Sequence, residues 1–168
     1  MSAGKPALFV VHGWTLFAHP LFLAQIEALA GQVEVLKQKD GLAYAKKNAS
    51  KRLAAIIRLA FDVIPQDPTR PDYRQGGTLG DDRKHWFRAK FFQQYRLFFR
   101  YHAQSRIIVL AWVNDEDTKR AYESGDDAYR VFRKMLDRGN PPDDWDQMLE
   151  EAQAEGRRLL DFASKRKP

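Results

Sequence analysis

Three consecutive β-strands predicted between residues 85 and 113 constrain the fold of this chain more than any other segment. Residues 85–92 and 95–102 alternate between apolar and polar or basic side chains, which is the two-residue period of a strand. Residues 106–113 are almost wholly apolar, as expected for a strand that is covered on both faces. We therefore expect a sheet with helices packed against it, which is an α+β fold.

Further elements are predicted on both sides of these strands. Before them come a strand over residues 8–17 interrupted at His12-Gly13, helices over residues 20–40 and 42–60, and a loop rich in Pro and Gly over residues 65–82. The short connection between the two helices predicts an antiparallel helical hairpin. After the strands, helices are expected from Asp126 or Asp127 to Arg138 and over residues 144–163, followed by a frayed tail at 164–168. Residues 1–168 are expected to form a single domain.

The segment that contains the three predicted strands carries more positive charge than the whole protein does. Residues 83–114 contain seven Lys and Arg residues and no Asp or Glu, whereas the formal net charge of the whole protein is +6. Alternation on paired strands places Arg88, Lys90, Arg96 and Arg100 on one surface, where they repel one another unless an anion lies between them. A basic surface interleaved with aromatic side chains is typical of a binding partner for phosphates and bases. We therefore expect a nucleic-acid ligand, and RNA first among the candidates.

Residues next to these four cations add to the same prediction. The basic stretch Arg83-Lys84-His85, at the end of the long loop, is expected to bind the RNA backbone. Phe92 and Phe98 are either platforms for stacked bases or contacts beneath a covering helix. The turn at Gln93-Gln94 lacks the Gly or Asn that tight hairpin turns prefer.

Composition excludes several other classes of site. The sequence has no cysteine, so disulfides, thiolate metal sites and cysteine nucleophiles are absent. The apolar run at residues 7–11 is too short for a signal peptide or a membrane span, and a cytoplasmic protein is expected. The four histidines lack metal-ligand spacing, and no cofactor is expected. Residues 115–117 (Asp-Glu-Asp) could hold a divalent ion, but a charged turn is the favoured interpretation.

Five stretches of sequence together carry a family resemblance. They are HGWTLFAHP (residues 12–20), YRLFFRY (95–101), WVNDEDTKRAY (112–122), DAYRVF (127–132) and RGNPPDDW (138–145). Over nearly the whole length, the chain resembles the RelE-type toxin superfamily and most closely its YhaV branch. The resemblance implies a RelE-like arrangement of an N-terminal strand, an antiparallel helical hairpin, an antiparallel sheet and C-terminal helices.

The same resemblance implies a function and partners. It implies a ribonuclease toxin of a type II toxin–antitoxin system, which cleaves messenger RNA, inhibits translation and arrests growth. The implied partner is a PrlF-like antitoxin with an AbrB-type DNA-binding fold. The complex would bind operator DNA and autoregulate its own operon.

The resemblance also assigns roles on the predicted strands. Arg88 and Lys90 match a basic-x-basic pair on the strand before the Tyr-Arg strand, and Arg96 matches the arginine after its tyrosine. In cleavage without a metal, a base must remove the proton of the attacking 2′-hydroxyl. Lys90 is the candidate base because neighbouring cations favour a neutral amine, and His102 or His85 could substitute for it.

Later residues complete the implied site. Arg120, or less well Lys119, corresponds to a basic residue after the last strand, and with Arg96 it would stabilise the phosphorane. Tyr129 or Tyr122 corresponds to a late tyrosine that would stack a base or protonate the departing oxygen. Two alternatives remain open: a ParE-like toxin that inhibits gyrase, and a ribosome- or nucleic-acid-binding regulator that does not cut.

Overall fold

The computed structural model describes residues 7–115 and 127–166, and its five strands form one sheet. The strands are β1 (Phe9–Val11), β2 (Trp14–Ala18), β3 (Phe87–Phe91), β4 (Tyr95–His102) and β5 (Ile107–Val113). Across the sheet their order is β1-β2-β5-β4-β3. The three strands predicted over residues 85–113 are confirmed, each to within two residues at its ends.

The predicted N-terminal strand is a hairpin of two strands. Val11 pairs with Trp14, and the two residues between them have φ angles of 50° at His12 and 81° at Gly13. Two successive left-handed residues are the requirement of a tight two-residue hairpin turn. The interruption at His12-Gly13 therefore reverses the chain.

The sheet is mixed, so the prediction of an antiparallel sheet is wrong at one pair of strands. β2 runs parallel to β5, with Thr15 opposite Ile107, whereas the other neighbouring strands are antiparallel. Parallel neighbours need a long crossover connection, which here includes the helical hairpin. Side-chain alternation shows which residues share a face but not the direction of a neighbouring strand, so the sequence pattern could not reveal this pairing.

Within the described ranges, five helices of nine or more residues pack around the sheet. They are α1 (Pro20–Lys39), α2 (Asn48–Arg58), α3 (Asp127–Asp137), α4 (Trp145–Gln153) and α5 (Gly156–Ser164). α2 continues through a π-helical turn, Leu59–Val63, and one further α-helical turn, Ile64–Gln66. None of the helices in the described ranges combines the length and apolarity needed to cross a membrane.

Two predicted helix boundaries are corrected by the structure. The second helix begins at Asn48 rather than at residue 42, because residues 44–46 form a separate 3-10 turn. The helix predicted over residues 144–163 is two helices, since Glu155 leaves the helical conformation with φ −106° and ψ 19°. Glycine favours such a break because it loses more conformational entropy in a helix than other residues do. Gly156 directly follows Glu155.

Both faces of the sheet are buried. On one face Leu97 and Phe99 belong to a core shared with α1, α2 and α5. On the other face Phe98 and Trp112 belong to a core shared with α3 and α4. Phe98 is fully buried, which confirms its interpretation as a contact beneath a covering helix. Side chains available to a large ligand therefore lie where the strands end or turn.

Candidate nucleic-acid interface

The β3–β4 hairpin brings three basic residues onto one surface. Lys90 and Arg96 are direct partners in the antiparallel register, and Arg88 lies opposite Phe98. Residues two apart on a strand point to the same face, so Arg88, Lys90 and Arg96 are neighbours. Lys90 is exposed, and the two arginines are partly exposed.

A tyrosine hydroxyl joins the two guanidinium groups. The Nε atoms of Arg88 and Arg96 donate hydrogen bonds to the hydroxyl oxygen of Tyr129, at 2.9 and 3.1 Å. The guanidinium of Arg96 also lies 5.9 Å from the centroid of the Tyr129 ring. Because the oxygen accepts on both sides, its own O–H can donate to a third group. Within the described part of the chain, no side chain or carbonyl accepts that proton.

The packing of α3 on the sheet places Tyr129. Its ring meets Phe98 edge-on with centroids 5.6 Å apart, and one helical turn later Phe132 stacks on Phe98 at 4.3 Å. Residues three apart on a helix share a face, so burial of Phe132 directs Tyr129 towards the strands. Tyr129 is only 7% exposed, which leaves its ring no room to stack an RNA base. Its hydroxyl is the chemically useful group.

Backbone carbonyls hold the outer ends of both arginines. One terminal nitrogen of Arg96 donates to the carbonyl oxygens of Gln93 and Tyr95, at 2.6 and 3.1 Å. A terminal nitrogen of Arg88 donates to the carbonyl oxygen of Asp72 at 2.7 Å. With Nε also engaged, each guanidinium plane is held in one orientation before any ligand arrives.

A buried asparagine, which the sequence did not single out, holds the backbone beneath Arg96. Asn114 is 2% exposed, its Oδ1 accepts from the Arg96 backbone nitrogen at 2.7 Å, and its Nδ2 donates to the carbonyl of Gln94 at 3.0 Å. The neighbouring Val113 backbone is bonded at both its N–H and its C=O by the side chain of Gln25. The available sequence signal was a lone amide residue directly after a wholly apolar strand.

The three cations of this surface keep their charge unopposed by described residues. Among residues 7–115 and 127–166, no carboxylate forms an ion pair with Arg88, Lys90 or Arg96. Carbonyl oxygens satisfy hydrogen-bond donors without neutralising them. Such a group suits a phosphate, whose oxygens accept paired bonds from guanidinium groups.

The structure separates Arg100 from the other three cations. Its guanidinium lies between the indole rings of Trp86 and Trp145, 5.3 Å from each centroid, and donates to the carbonyl of Asp143 at 2.6 Å. Burial lowers the pKa of Arg100, and the charge of Asp143 opposes that change. The prediction of four cations on one open surface is therefore wrong for Arg100. Alternation fixed its face correctly but could not show that the start of α4 covers it.

His85 belongs to the same group of contacts as Arg100, although its side chain is 37% exposed. Its Nε2 lies 2.9 Å from Oδ1 of Asp143, and the indole N–H of Trp86 donates to the same oxygen at 2.7 Å. Burial acts to raise the pKa of Asp143, but these hydrogen bonds and the charge of Arg100 hold it below its ordinary value. The cluster fastens the start of α4 to the sheet.

The remaining predicted residues in the described ranges lie apart from Lys90 and Arg96. Arg83 forms an ion pair with Asp137 at 2.8 Å, whereas Lys84 is exposed. The ring of His102 stacks on Trp145. His102 is six residues from Arg96 along β4, which corresponds to roughly 20 Å. The structure thus does not bring His102 to the candidate base position.

Several predictions fall outside the described residues. These are Lys119, Arg120 and Tyr122, together with Glu116 and Asp117 of the alternative metal cluster. Asp115 is described and is exposed just beyond β5. Within the described ranges, no three His, Asp or Glu side chains are grouped as metal ligands.

Comparisons with known proteins place the chain in a family. A family model described as a toxin with endonuclease activity, of a toxin–antitoxin system, matches residues 16–153, which include the whole β3–β4 hairpin and Tyr129. Toxin YhaV of Escherichia coli O6:H1 and Ribonuclease toxin YhaV of Escherichia coli K12 are each 45% identical over 145 residues, which cover 85% of this chain and 94% of each relative. No solved structure shows significant similarity. The chain belongs to the YhaV family of toxins.

Proposed function

We propose that this chain is an endoribonuclease toxin that cuts RNA at the surface formed by Arg88, Lys90, Arg96 and Tyr129. The observation that carries the proposal is a tyrosine hydroxyl shared by two arginines beside a lysine, with no described carboxylate paired to the three cations. The family description supplies endonuclease activity, and the name of the K12 relative specifies a ribonuclease.

The proposed reaction uses the RNA's own nucleophile. The ribose 2′-oxygen loses its proton and bonds to the adjacent phosphorus, while the bond from phosphorus to the 5′-oxygen breaks and that oxygen takes up a proton. The products are a 2′,3′-cyclic phosphate and a 5′-hydroxyl. The protein must provide a base, cations for the negatively charged phosphorane and an acid.

The geometry supports a proposed role for each of these side chains. Lys90 is the base, since it is exposed and stands directly opposite Arg96. Arg88 and Arg96 bind the phosphate oxygens, and removing one such contact costs ~3 kcal/mol, on the order of a hundredfold in rate. Tyr129 is the proposed acid because its hydroxyl is held between both guanidiniums and no residue in the described ranges accepts its proton.

Residues outside the described ranges enter the proposal through the family resemblance. Arg120 would add a further cation at the phosphorane, and Tyr122 is the alternative acid. Lys119 and the exposed Lys84 are proposed contacts to the RNA backbone. Arg83, His85 and Arg100 would contact RNA only by giving up the partners described above, and we leave them outside the proposed interface.

We also propose that the chain acts with an antitoxin. The family description, which names a toxin–antitoxin system, supports this part of the proposal. The antitoxin would be PrlF-like with an AbrB-type fold, and the complex would bind operator DNA and autoregulate the operon. The mixed sheet with a helical hairpin and C-terminal helices is compatible with a RelE-like arrangement.

The proposed function is tested by digesting RNA with the purified chain in excess EDTA. We expect full cleavage, with 2′,3′-cyclic phosphate ends identified by mass spectrometry. Loss of cleavage in EDTA would point instead to the acidic residues 115–117. Growth arrest without RNA cleavage, together with inhibition of gyrase supercoiling, would favour the ParE-like alternative.

A pair of variants separates cutting from binding. Arg96→Ala should reduce the cleavage rate about a hundredfold or more while RNA binding is mostly retained. Arg157→Ala is the matched control, because it removes the same charge from an exposed position on α5, which packs on the opposite face of the sheet. A simple nucleic-acid-binding regulator would lose affinity in Arg96→Ala and would show no cleavage in any variant.

A further inference from the structure

We infer that Phe92 is a stacking platform for the RNA base next to the cleaved phosphate, an inference that rests on the proposed ribonuclease function. Phe92 follows β3 directly and begins the turn that leads to Arg96. It would supply base contact, and so a preference for where the RNA is cut, to a site whose other members contact phosphate and ribose.

Exposure of Phe92 is unusual in this molecule. Phe92 is 53% exposed. It is the one aromatic residue among the exposed large hydrophobic residues in the described part of the chain. Phe98, the other ring of this hairpin for which the sequence allows a stacking role, is fully buried. An exposed aromatic ring at the tip of a hairpin that carries cations is a combination suited to single-stranded RNA, since every base has a face that can stack.

The backbone conformation that presents Phe92 is a strained one. Phe92 and Gln93 have φ angles of 47° and 62°, so two successive residues with side chains adopt the left-handed conformation. That conformation crowds the Cβ atom and is uncommon for residues other than Gly, Asn and Asp. Strained backbone of this kind persists where the surrounding contacts enforce it, and it is frequent at ligand sites.

The contacts that enforce the turn are those that build the cationic site. Arg96 donates to the Gln93 carbonyl at 2.6 Å, and Asn114 donates to the Gln94 carbonyl at 3.0 Å. On the face of the hairpin opposite Lys90 and Arg96, the Phe91 ring stacks on Tyr95 at 5.2 Å and meets the Phe92 ring edge-on at 5.6 Å. The ring of Phe92 is therefore supported on one side and open on the other.

The distance to the phosphate site suits one nucleotide. Phe92 is two positions after Lys90, so their Cα atoms are at most about 7 Å apart. The cross-strand pair next to the turn is Phe91 with Tyr95, and the pair before it is Lys90 with Arg96. A base attached to the ribose at Lys90 thus has an aromatic surface within its reach.

The experiment is a double-mutant cycle on binding, with an RNA that contains a 2′-deoxy nucleotide at the mapped cleavage position and so cannot be cut. Phe92→Ala should raise the dissociation constant about tenfold. Phe92→Tyr and Phe92→Trp should restore it, and Phe92→Leu should not, because stacking needs a ring. Leu42→Ala, at a 99% exposed apolar position outside the site, is the control and should bind as the wild type does.

The RNA side of the cycle identifies the stacked base. An abasic nucleotide at one position flanking the cut should weaken RNA binding by the wild type about tenfold and leave RNA binding by Phe92→Ala unchanged. Abasic nucleotides elsewhere should weaken RNA binding by both proteins equally. Wild-type affinity in Phe92→Leu, or independent effects at every RNA position, would overturn the inference. In both cases the wild type would still cut RNA, whereas failure of the wild type to cut any RNA would instead refute the proposed function.

Discussion

Tyr129→Phe is the variant that most directly tests the proposed site. It removes one oxygen atom and retains the ring that packs against Phe98. Arg88 and Arg96 each lose a hydrogen bond, of 2.9 and 3.1 Å. A hydrogen bond from a charged donor contributes about 1.5 kcal/mol or more to stability when it is shielded from water. Both arginines are partly exposed, however, so water can replace the tyrosine oxygen as acceptor.

We therefore expect a small loss of stability and a large loss of activity. The free energy of unfolding should fall by about 1–2 kcal/mol, which at this chain length lowers Tm by roughly 3–6 °C. If Tyr129 donates the proton to the departing oxygen, kcat should fall about a hundredfold or more. RNA affinity should change little, because the two arginines and Lys90 keep their charges.

A chemically altered substrate separates proton donation from mere positioning. When sulfur replaces the bridging 5′-oxygen of the RNA, the leaving thiolate needs no proton, so Tyr129→Phe should cut this RNA as fast as the wild type does. An equal defect on the oxygen and sulfur substrates would refute the assignment of Tyr129 as the acid and leave it the role of orienting the two arginines. Tyr122→Phe, assayed alongside, tests the alternative acid in the same way.

Two further predictions concern the scaffold of the site. Asn114→Ala leaves the Arg96 N–H and the Gln94 carbonyl without their partner in a buried position, so chemical denaturation should show a loss of about 2–3 kcal/mol and cleavage should fall with it; unchanged stability would contradict the bonding described. Folding lowers the pKa of Asp143, so its carboxylate stabilises the folded state at pH values above the unfolded pKa, near 3.8. This stabilisation is lost as the pH falls through the lower pKa of the folded state. Asp143→Asn should therefore flatten the decline in Tm between about pH 5 and pH 2, and an unchanged decline would remove Asp143 from this role.

Local sequence patterns predicted the hairpin and its cations well. Alternation alone gave β4 its observed bounds, Tyr95–His102, and placed Lys90 and Arg96 on one face. The assignment to the YhaV family, made from the five motif stretches, is also confirmed. These predictions succeeded because a strand's period is a property of neighbouring residues.

What the sequence left open depends on contacts between distant segments. Arg100 lies on the same face of β4 as Arg96, so the sequence pattern does not distinguish them. The packing of α4 places Arg100 between two indole rings, whereas Arg96 stays partly exposed. The role of Asn114 depends likewise on the position of the β3–β4 turn beside the end of β5. The strained conformation of Phe92 could not be inferred from a sequence that offers no Gly or Asn there.

The parallel pairing of β2 with β5 bears on how this protein folds. β3, β4 and β5 follow one another closely and can assemble from local contacts, but Thr15 meets Ile107 only after a loop of about ninety residues has closed. Contacts so far apart in the chain slow folding, so we expect the N-terminal hairpin to join the sheet late. On a translating ribosome, β5 is the last of the five described strands to be synthesised. Nascent chains that stop before β5 cannot assemble the sheet, and we expect them to be harmless to the cell that synthesises them.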